Sequence, residues 1–311
     1  MKGLRRARLE VRAGSPGVRR VYRSLGFREE GRREGYYGNG EAAVVMGMDM
    51  PGRPDVARTA AALYGFFRGA VPRVGVILGS GLGWLAGQAG TRRSTPYDCI
   101  PGLEGGLVPG HPGILSMNRR GTVVFLQGRR HHYQGYSGEE VVLLPSALAS
   151  IGVDTWLLTT SSGAVRSGLE TGDAVVIEDH VNLSGCVPCP PPVPPGKVYS
   201  PGLMADAFRL ARTLDAPVSG GIFGCVSGPA YETAAEVALL AGSGVSVVSM
   251  STVQEALALV SQGCRVLGVA LVTNEVARGD SVSHSEVLGA QETVSDRLGR
   301  FLPELVEELE R

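Results

Sequence analysis

Six short apolar runs punctuate this chain, and each one ends in residues equipped to hold something polar. The runs at 74–78, 122–126, 155–158, 174–177, 245–248 and 266–272 are dominated by Val, Ile and Leu and lack polar alternation. Such runs predict strands buried on both faces of a sheet. Apolar residues at helical spacing fill 55–69, 139–150, 204–214, 232–241, 253–262 and 285–310. Strands and helices therefore alternate. The expected fold class is α/β: a mixed, mostly parallel central sheet flanked by helices, with ligands gathered where strand ends converge.

Residues 1–50 follow another pattern. They are rich in arginine, carry the pair Tyr36-Tyr37, and close in the alternation Ala43-Val44-Val45-Met46-Gly47-Met48, which suits a strand. Pro51-Gly52-Arg53-Pro54 then interrupts regular structure. The expected organisation is a 1–50 segment, a 51–54 linker and a main domain over 55–311. Residues 187–195 are too rich in proline for helix or strand and read as an extended loop.

Charge and cysteine content narrow the function. Thirty basic and thirty acidic residues balance, so no overall field favours nucleic acid or an anionic membrane, and any anion site must be local. Five cysteines, Cys99, Cys186, Cys189, Cys225 and Cys264, fit reduced thiols better than a disulfide framework. Cys186-Val-Pro-Cys189 has the spacing of a redox or zinc pair, but it lacks a second pair or a histidine cluster, so no metal site is expected. No stretch is apolar over a membrane-spanning length, which leads us to expect a soluble, cytoplasmic protein.

Candidate chemistry sits at the strand ends. Gly79-Ser80-Gly81-Leu82-Gly83 offers backbone N–H groups and a hydroxyl to an anion, or is a plain tight turn; it matches neither a P-loop nor a dinucleotide fingerprint. Gln127 to Gly135 brings Arg129, His131, His132 and Tyr133 into one loop, where the Arg129 fork suits an oxyanion and Arg130 is either a second cation or a solvated charge. His111, between Gly110 and Pro112-Gly113, adds a third histidine close to the same strand. Tyr231-Glu232 sets a carboxylate beside an aromatic ring, an arrangement that can hold a flat heterocycle or merely answer the dipole of the following helix. Asn274, ending a long apolar strand, is an amide that needs partners and can both donate and accept. Ser251 and Thr252 complete an anion cradle or cap a helix.

Together these motifs resemble the trimeric purine nucleoside phosphorylase family, in order and approximate spacing, from about Asp55 to the C-terminus. The matching stretches include Val74 to Gly83, Gly110-His111-Pro112-Gly113, Gln127 to Gly135, Asp179-His180-Val181-Asn182-Leu183, Gly228 to Glu236, Met250 to Glu255, Thr273-Asn274 and His284. The resemblance implies the nucleoside phosphorylase fold and reversible phosphorolysis of purine nucleosides, with inorganic phosphate as co-substrate, no metal or organic cofactor, and a homotrimer. It implies that Ser80, Arg129, His131, Ser161 and Ser251 hold phosphate, with His111 covering it. Tyr133 and Met250 would contact the ribose, and His284 its 5′-hydroxyl. Glu232 would accept from purine N1–H, Tyr231 would pack on the base, and Asn274 would bind N7 and O6. An amide at 274 beside a carboxylate at 232 suits inosine and guanosine over adenosine, and His284 disfavours a 5′-methylthio substituent. Alternatives are a 5′-methylthionucleoside phosphorylase and a nucleoside-binding protein of the same fold with impaired catalysis.

Two departures from that family stand out. Where its members commonly carry Asn-Ala-Ala-Gly-Gly, this chain has Thr160-Ser161-Ser162-Gly163-Ala164, and the loop that caps a neighbouring subunit's ribose is shortened and rewritten as Cys186 to Lys197, leaving Tyr199 as the candidate cap. Residues 1–50 resemble instead the C-terminal fragment of a GNAT ribosomal-protein N-acetyltransferase, through Leu9 to Ala13, Val21 to Phe27, Gly31-Arg32-Arg33 and Tyr36-Tyr37. Glu10 and Tyr22 stand at that family's base and acid positions. The asparagine expected near Ser15 and all upstream strands are missing, so the fragment is expected to be inactive: a fusion remnant, a start site set too early, or a module that borrows the rest of its fold from a partner.

Overall fold

The computed structural model describes residues 6–24, 27–49, 54–108, 110–187, 198–276 and 289–311. The chain divides into two compact units, Met1–Asp55 and Val56–Arg311. In the first, β1 (Arg6–Arg12), β2 (Arg28–Arg33) and β3 (Ala43–Asp49) form an antiparallel sheet in the order β1-β3-β2. The sequence alternation foretold β3. β1 and β2 escaped notice because they are rich in Arg and Glu, whose charges pair across the surface, as in Arg8–Glu30 at 2.9 Å. Such exposed pairs contribute at most about 1 kcal/mol each, so this unit rests on a small cluster of Val11, Val44 and Met46 with Leu9, Tyr22 and Phe27 around it. Helix α1 (Pro16–Ser24) buries no residue.

The second unit is built on nine strands: β4 (Val74–Leu78), β5 (Arg93–Pro96), β6 (Ile114–Met117), β7 (Val123–Gln127), β8 (Thr155–Ala164), β9 (Ala174–Asn182), β10 (Val218–Cys225), β11 (Val245–Ser249) and β12 (Arg265–Asn274). Their order is β11-β10-β9-β12-β8-β4-β7-β6-β5. Helices α2 (Val56–Phe67), α5 (Leu143–Ser150) and α8 (Val253–Ser261) bury Leu63, Phe67, Leu143 and Leu259 in one cluster with Trp156. A second cluster gathers Leu85 of α3 (Gly83–Gln88), Leu203 of α6 (Pro201–Leu214), Leu298 of α9 (Gln291–Leu298) and Phe301 of α10 (Phe301–Leu309). Strand residues alternate between the two clusters: Ile77 joins the first, Val76 and Leu78 the second. This is the two-sided burial that the unbroken apolar runs encode.

Several elements differ from expectation. β8 and β9 continue past their apolar runs to Ala164 and Asn182, so Thr159 to Gly163 belong to the strand; Thr159 hides its hydroxyl by donating to the Ile77 carbonyl at 2.9 Å. β10 reads as Val-Ser-Gly-Gly-Ile-Phe-Gly-Cys and shows no apolar run; a Cβ at Gly224 would lie 3.0 Å from Val245 Cγ1, so close packing against β11 favours glycine there. The helix expected over 139–150 is two, α4 (Gly138–Val141) and α5, since Pro145 cannot donate to the Val141 carbonyl. Pro303 likewise separates α9 from α10; residues 285–288 lie outside the described ones. Helix α7 (Ala234–Gly242) starts two residues late, because Thr233 caps it in a reciprocal pair with Glu236.

The sheet is mixed. β9, β10 and β11 run parallel to one another, and β9 pairs antiparallel with β12. β11 also crosses back over the end of β8, pairing Val247 with Ala164 and Val248 with Gly163 antiparallel. The strand ends that carry the site thus do not share one direction: Ser249-Met250-Ser251 arrive beside Ser161 because of this crossing.

Candidate active site

Arg129, just past β7, is buried, its side chain 4% exposed. Nη1 donates to Ser251 Oγ (2.8 Å) and Thr252 Oγ1 (3.2 Å), and Nη2 to the Thr159 carbonyl (2.8 Å). Nε faces Glu255 Oε1 at 3.5 Å, too far for a hydrogen bond, and neither atom has another partner. The other Glu255 oxygen accepts from the Thr252 backbone N–H at 2.9 Å. Thr252 needs that support, for its φ of 81° is rare in a β-branched residue. Burial works against the Arg129 charge, and the Glu255 carboxylate opposes that effect. Glu255 is therefore both the counter-charge and the anchor of the turn that presents Ser251.

Hydroxyls extend the network. Thr160 Oγ1 lies 3.3 Å from both Ser249 Oγ and Ser251 Oγ, Ser249 Oγ donates to the Ser161 carbonyl (2.8 Å), and Ser161 Oγ donates to the Ser80 carbonyl (3.3 Å). The Arg129 backbone N–H donates to His111 Nδ1 at 3.2 Å. The same Nδ1 lies 3.3 Å from the Arg129 carbonyl, and Nε2 faces Ser80 Oγ at 3.1 Å. His131 stacks between His111 and Tyr133, with ring centroids 5.4 and 4.8 Å away. Burial first, then the Arg129 charge, pushes the His131 imidazole down to about 3, so it is neutral at physiological pH.

The other group of residues is less enclosed. Glu232 lies one residue before Thr233, the cap of α7, rather than in the first helical turn. It is half-buried, and burial raises its carboxyl above the usual range. Gly228, at φ 67°, lets its loop settle on the site, because a Cβ there would collide with Met250 Sδ and come within 3.0 Å of Tyr133 Cδ1. Thr273 Oγ1 donates to Asn274 Oδ1 at 3.1 Å, which orients the amide. The Asn274 Nδ2 group has no partner among the described residues.

One cavity brings these parts together. Ser80, His131, Tyr133, Ser161, Tyr231, Glu232, Met250 and Asn274 all line it, with Val108, Val248 and Val276 as apolar wall. Arg129 and Ser251 lie behind the lining, joined to it through Thr160 and Ser249. His284 lies outside the described residues, as does Cys189. Tyr199 is not free to cap a neighbouring subunit's ribose: it is 4% exposed in this chain's own core, 3.3 Å from His180 Nδ1. Arg130 is neither a second site cation nor a solvated charge; it is buried and donates to the Gly102 and Glu104 carbonyls.

Glu255, Thr159, Thr160, Ser249 and Thr273 were given no role of their own by sequence. Only Glu255 left a local signal, the Thr252-Val253-Gln254-Glu255 capping box. The site as a whole offers oxygen and nitrogen donors for an oxyanion and a carboxylate–amide pair for the edge of a heterocycle.

Residues 73–307 match the model of the phosphorylase superfamily. Purine nucleoside phosphorylase 1 of Bacillus subtilis is 33% identical over 252 residues, covering 77% of this chain and 93% of the relative. The chain belongs to the purine nucleoside phosphorylase family. A purine nucleoside phosphorylase of Mycobacterium tuberculosis is 36% identical over 242 residues, covering 75% of this chain and 88% of its own. Among solved structures, the Schistosoma mansoni purine nucleoside phosphorylase in complex with inosine is 29% identical with a TM-score of 0.71, covering 81% of this chain and 95% of that one. The family match begins at residue 73 and leaves the first unit unaddressed. Among the described residues no helix is long and apolar enough to cross a membrane.

Proposed function

We propose that this chain is a purine nucleoside phosphorylase that cleaves 6-oxopurine nucleosides with inorganic phosphate as the nucleophile, giving the free base and (deoxy)ribose 1-phosphate. What carries the reading is that a cavity lined by Ser80 and Ser161, which adjoin the Arg129–Ser251 network, is also lined by Glu232 and Asn274. Phosphate sits against Ser80, His131 and Ser161, with Arg129 and Ser251 supplying charge and hydroxyl from behind and His111 covering it through Ser80. Tyr133 and Met250 hold the ribose, and His284 meets its 5′-hydroxyl.

As the glycosidic bond lengthens, the sugar becomes cation-like and the base gains negative charge. The anion on the sugar side stabilises the first, and hydrogen-bond donation to the base stabilises the second. The Asn274 amide, held by Thr273, donates to the purine N7 and O6 region. Glu232 accepts from N1–H, which a 6-oxopurine has and a 6-aminopurine lacks. Holding phosphate, sugar and base in one cavity supplies orientation without further catalytic groups. The functional assembly is a homotrimer.

Residues 1–50 play no part in this chemistry. Among the described residues their apolar cluster is built on Val11, Val44 and Met46, and Glu10 is engaged by Arg33 at 3.4 Å. Acetyl-CoA should show no saturable binding to the purified chain; binding would make the first unit a working module.

The central test is phosphate-dependent release of hypoxanthine from inosine, compared with adenosine and 5′-methylthioadenosine. Inosine should be preferred by at least about a hundredfold, since a site that hydrogen-bonds N1–H rejects a base without it. Binding of inosine with no phosphate-dependent turnover would instead leave a nucleoside-binding protein.

A further inference from the structure

Two consecutive arginines follow β7, and both are buried, yet their partners lie in different places. Arg129 turns to Ser251, Thr252 and Thr159, whereas Arg130 Nη1 donates to the Gly102 carbonyl and Nη2 to the Glu104 carbonyl, each at 2.9 Å. The Arg130 guanidinium also lies 4.6 Å above the centre of the Tyr136 ring. Tyr136 in turn donates its hydroxyl to the Gly106 carbonyl at 2.9 Å, and Gln134 Nε2 reaches the same oxygen at 3.3 Å. The carbonyls at 102, 104 and 106 are thus all taken by side chains of the loop that carries Arg129. Gly102 to Val108 belongs to no helix or strand, so these carbonyls have no ladder to satisfy them.

The clamped stretch ends at the cavity. Val108 forms part of the cavity wall, and its carbonyl accepts from the His111 backbone N–H at 3.1 Å. His111 Nε2 faces Ser80 Oγ at 3.1 Å, and the ring sits against Gly128, where a Cβ would lie 2.8 Å from His111 Cβ. Packing alone at position 130 would be met by an apolar side chain, without the desolvation cost of a guanidinium. A planar fork suits two backbone carbonyls and a ring face at once. We propose that Arg130 is a positioning residue for the phosphate end of the site: by clamping the 102–106 carbonyls it fixes Val108 in the wall and His111 over Ser80. It touches no substrate itself. This rests on the phosphorylase reading of the cavity, and it divides the arginine pair, Arg129 charging the oxyanion part and Arg130 holding its cover.

The experiment measures inosine turnover as a function of phosphate, together with melting temperature, in wild type, Arg130→Met, Tyr136→Phe, His111→Ala and the two doubles made by adding His111→Ala. Tyr136→Phe keeps the ring under the guanidinium and removes only the bond to Gly106, so it should melt close to wild type. Phosphate KM should rise about tenfold in Arg130→Met and about threefold in Tyr136→Phe, with kcat at saturating phosphate within about twofold of wild type, the pattern of lost binding rather than lost chemistry. In the His111→Ala background each change should add less than about twofold, because the residue it positions is gone. Fully additive losses with His111→Ala, which mark a general effect on the fold, would overturn the proposal. If Arg130→Met does not fold, Tyr136→Phe decides through the same cycle. A wild-type chain without phosphate-dependent turnover removes the phosphorylase reading and this inference with it, whereas wild-type turnover with phosphate KM unmoved in the variants removes this inference alone.

Discussion

The two groups of residues that meet in the cavity are built on opposite terms. Around Arg129, the side chains of Thr159, Thr160, Ser251, Thr252 and Glu255 are all buried, and Arg129 is held by the Ser251 and Thr252 hydroxyls and the Thr159 carbonyl. Around Asn274, Tyr231 is 41% exposed, Glu232 is half-buried, and the amide nitrogen has no partner among the described residues. The oxyanion part is a pre-organised piece of the fold, and its geometry is maintained by the same contacts that stabilise the unit. The base part is held open for substrate. Mutations in the first should therefore cost stability and activity together, and mutations in the second activity alone.

The sharpest way to break that contrast is Arg129→Met. It leaves Glu255 buried without its counter-charge, so stability should fall by about 3–5 kcal/mol and turnover should drop below detection; chemical unfolding and an inosine assay measure the two. Next, Asn274→Ala should lower kcat/KM for inosine by roughly a hundred- to a thousandfold, the scale of a lost transition-state donor. Its melting temperature should stay within about 3 °C of wild type, since ~0.5 kcal/mol at a site away from the core moves Tm little. A comparable loss of stability in both variants would erase the distinction between the two parts.

Glu255→Gln probes the oxyanion part more finely. The Thr252 cap can survive, but Arg129 is left unbalanced, so the phosphate-free protein should lose about 3 kcal/mol. Saturating phosphate should then raise the melting temperature more in this variant than in wild type, because the anion replaces the missing negative charge. An equal phosphate response would mean that Glu255 only caps the helix. The last test is the pH dependence. The folded-state pKa of His131 is depressed to about 3 against an ordinary value of 6.5, so the unfolded chain binds a proton that the native one refuses. This contribution to stability is whole above about pH 6.5 and is lost as the pH falls toward 3. His131→Gln should flatten that acid limb in a denaturation series run across this range.

Much of this was legible in the chain before any coordinates. The buried runs of β4, β7, β11 and β12 and the position of Asn274 at a strand end follow from local pattern, since two-sided burial leaves an unbroken apolar signature. β5, β6 and β10 left none: β5 is a short edge strand of Arg-Ser-Thr-Pro, and β10 is threaded with glycines that its neighbours require. Pattern also ended the apolar run at Leu158, whereas the strand continues to Ala164, because hydroxyl residues look solvent-seeking until partners arrive from elsewhere.

Sequence alone determined which polar groups were available and the order in which they arrive: the Ser80 loop, Arg129 with its histidines, the Tyr231-Glu232 turn, Asn274, and the Thr252–Glu255 cap. Only the tertiary structure decided which of them act together. Arg129 reaches Ser251 across 122 residues, and Thr160 reaches Ser249 across 89, through the crossing of β11 over β8. The same crossing buries Glu255 as a counter-charge and leaves the Ser162 hydroxyl unmatched. Hydrogen-bond partnership and desolvation depend on what packs nearby in space, and neighbours that distant along the chain leave no local trace.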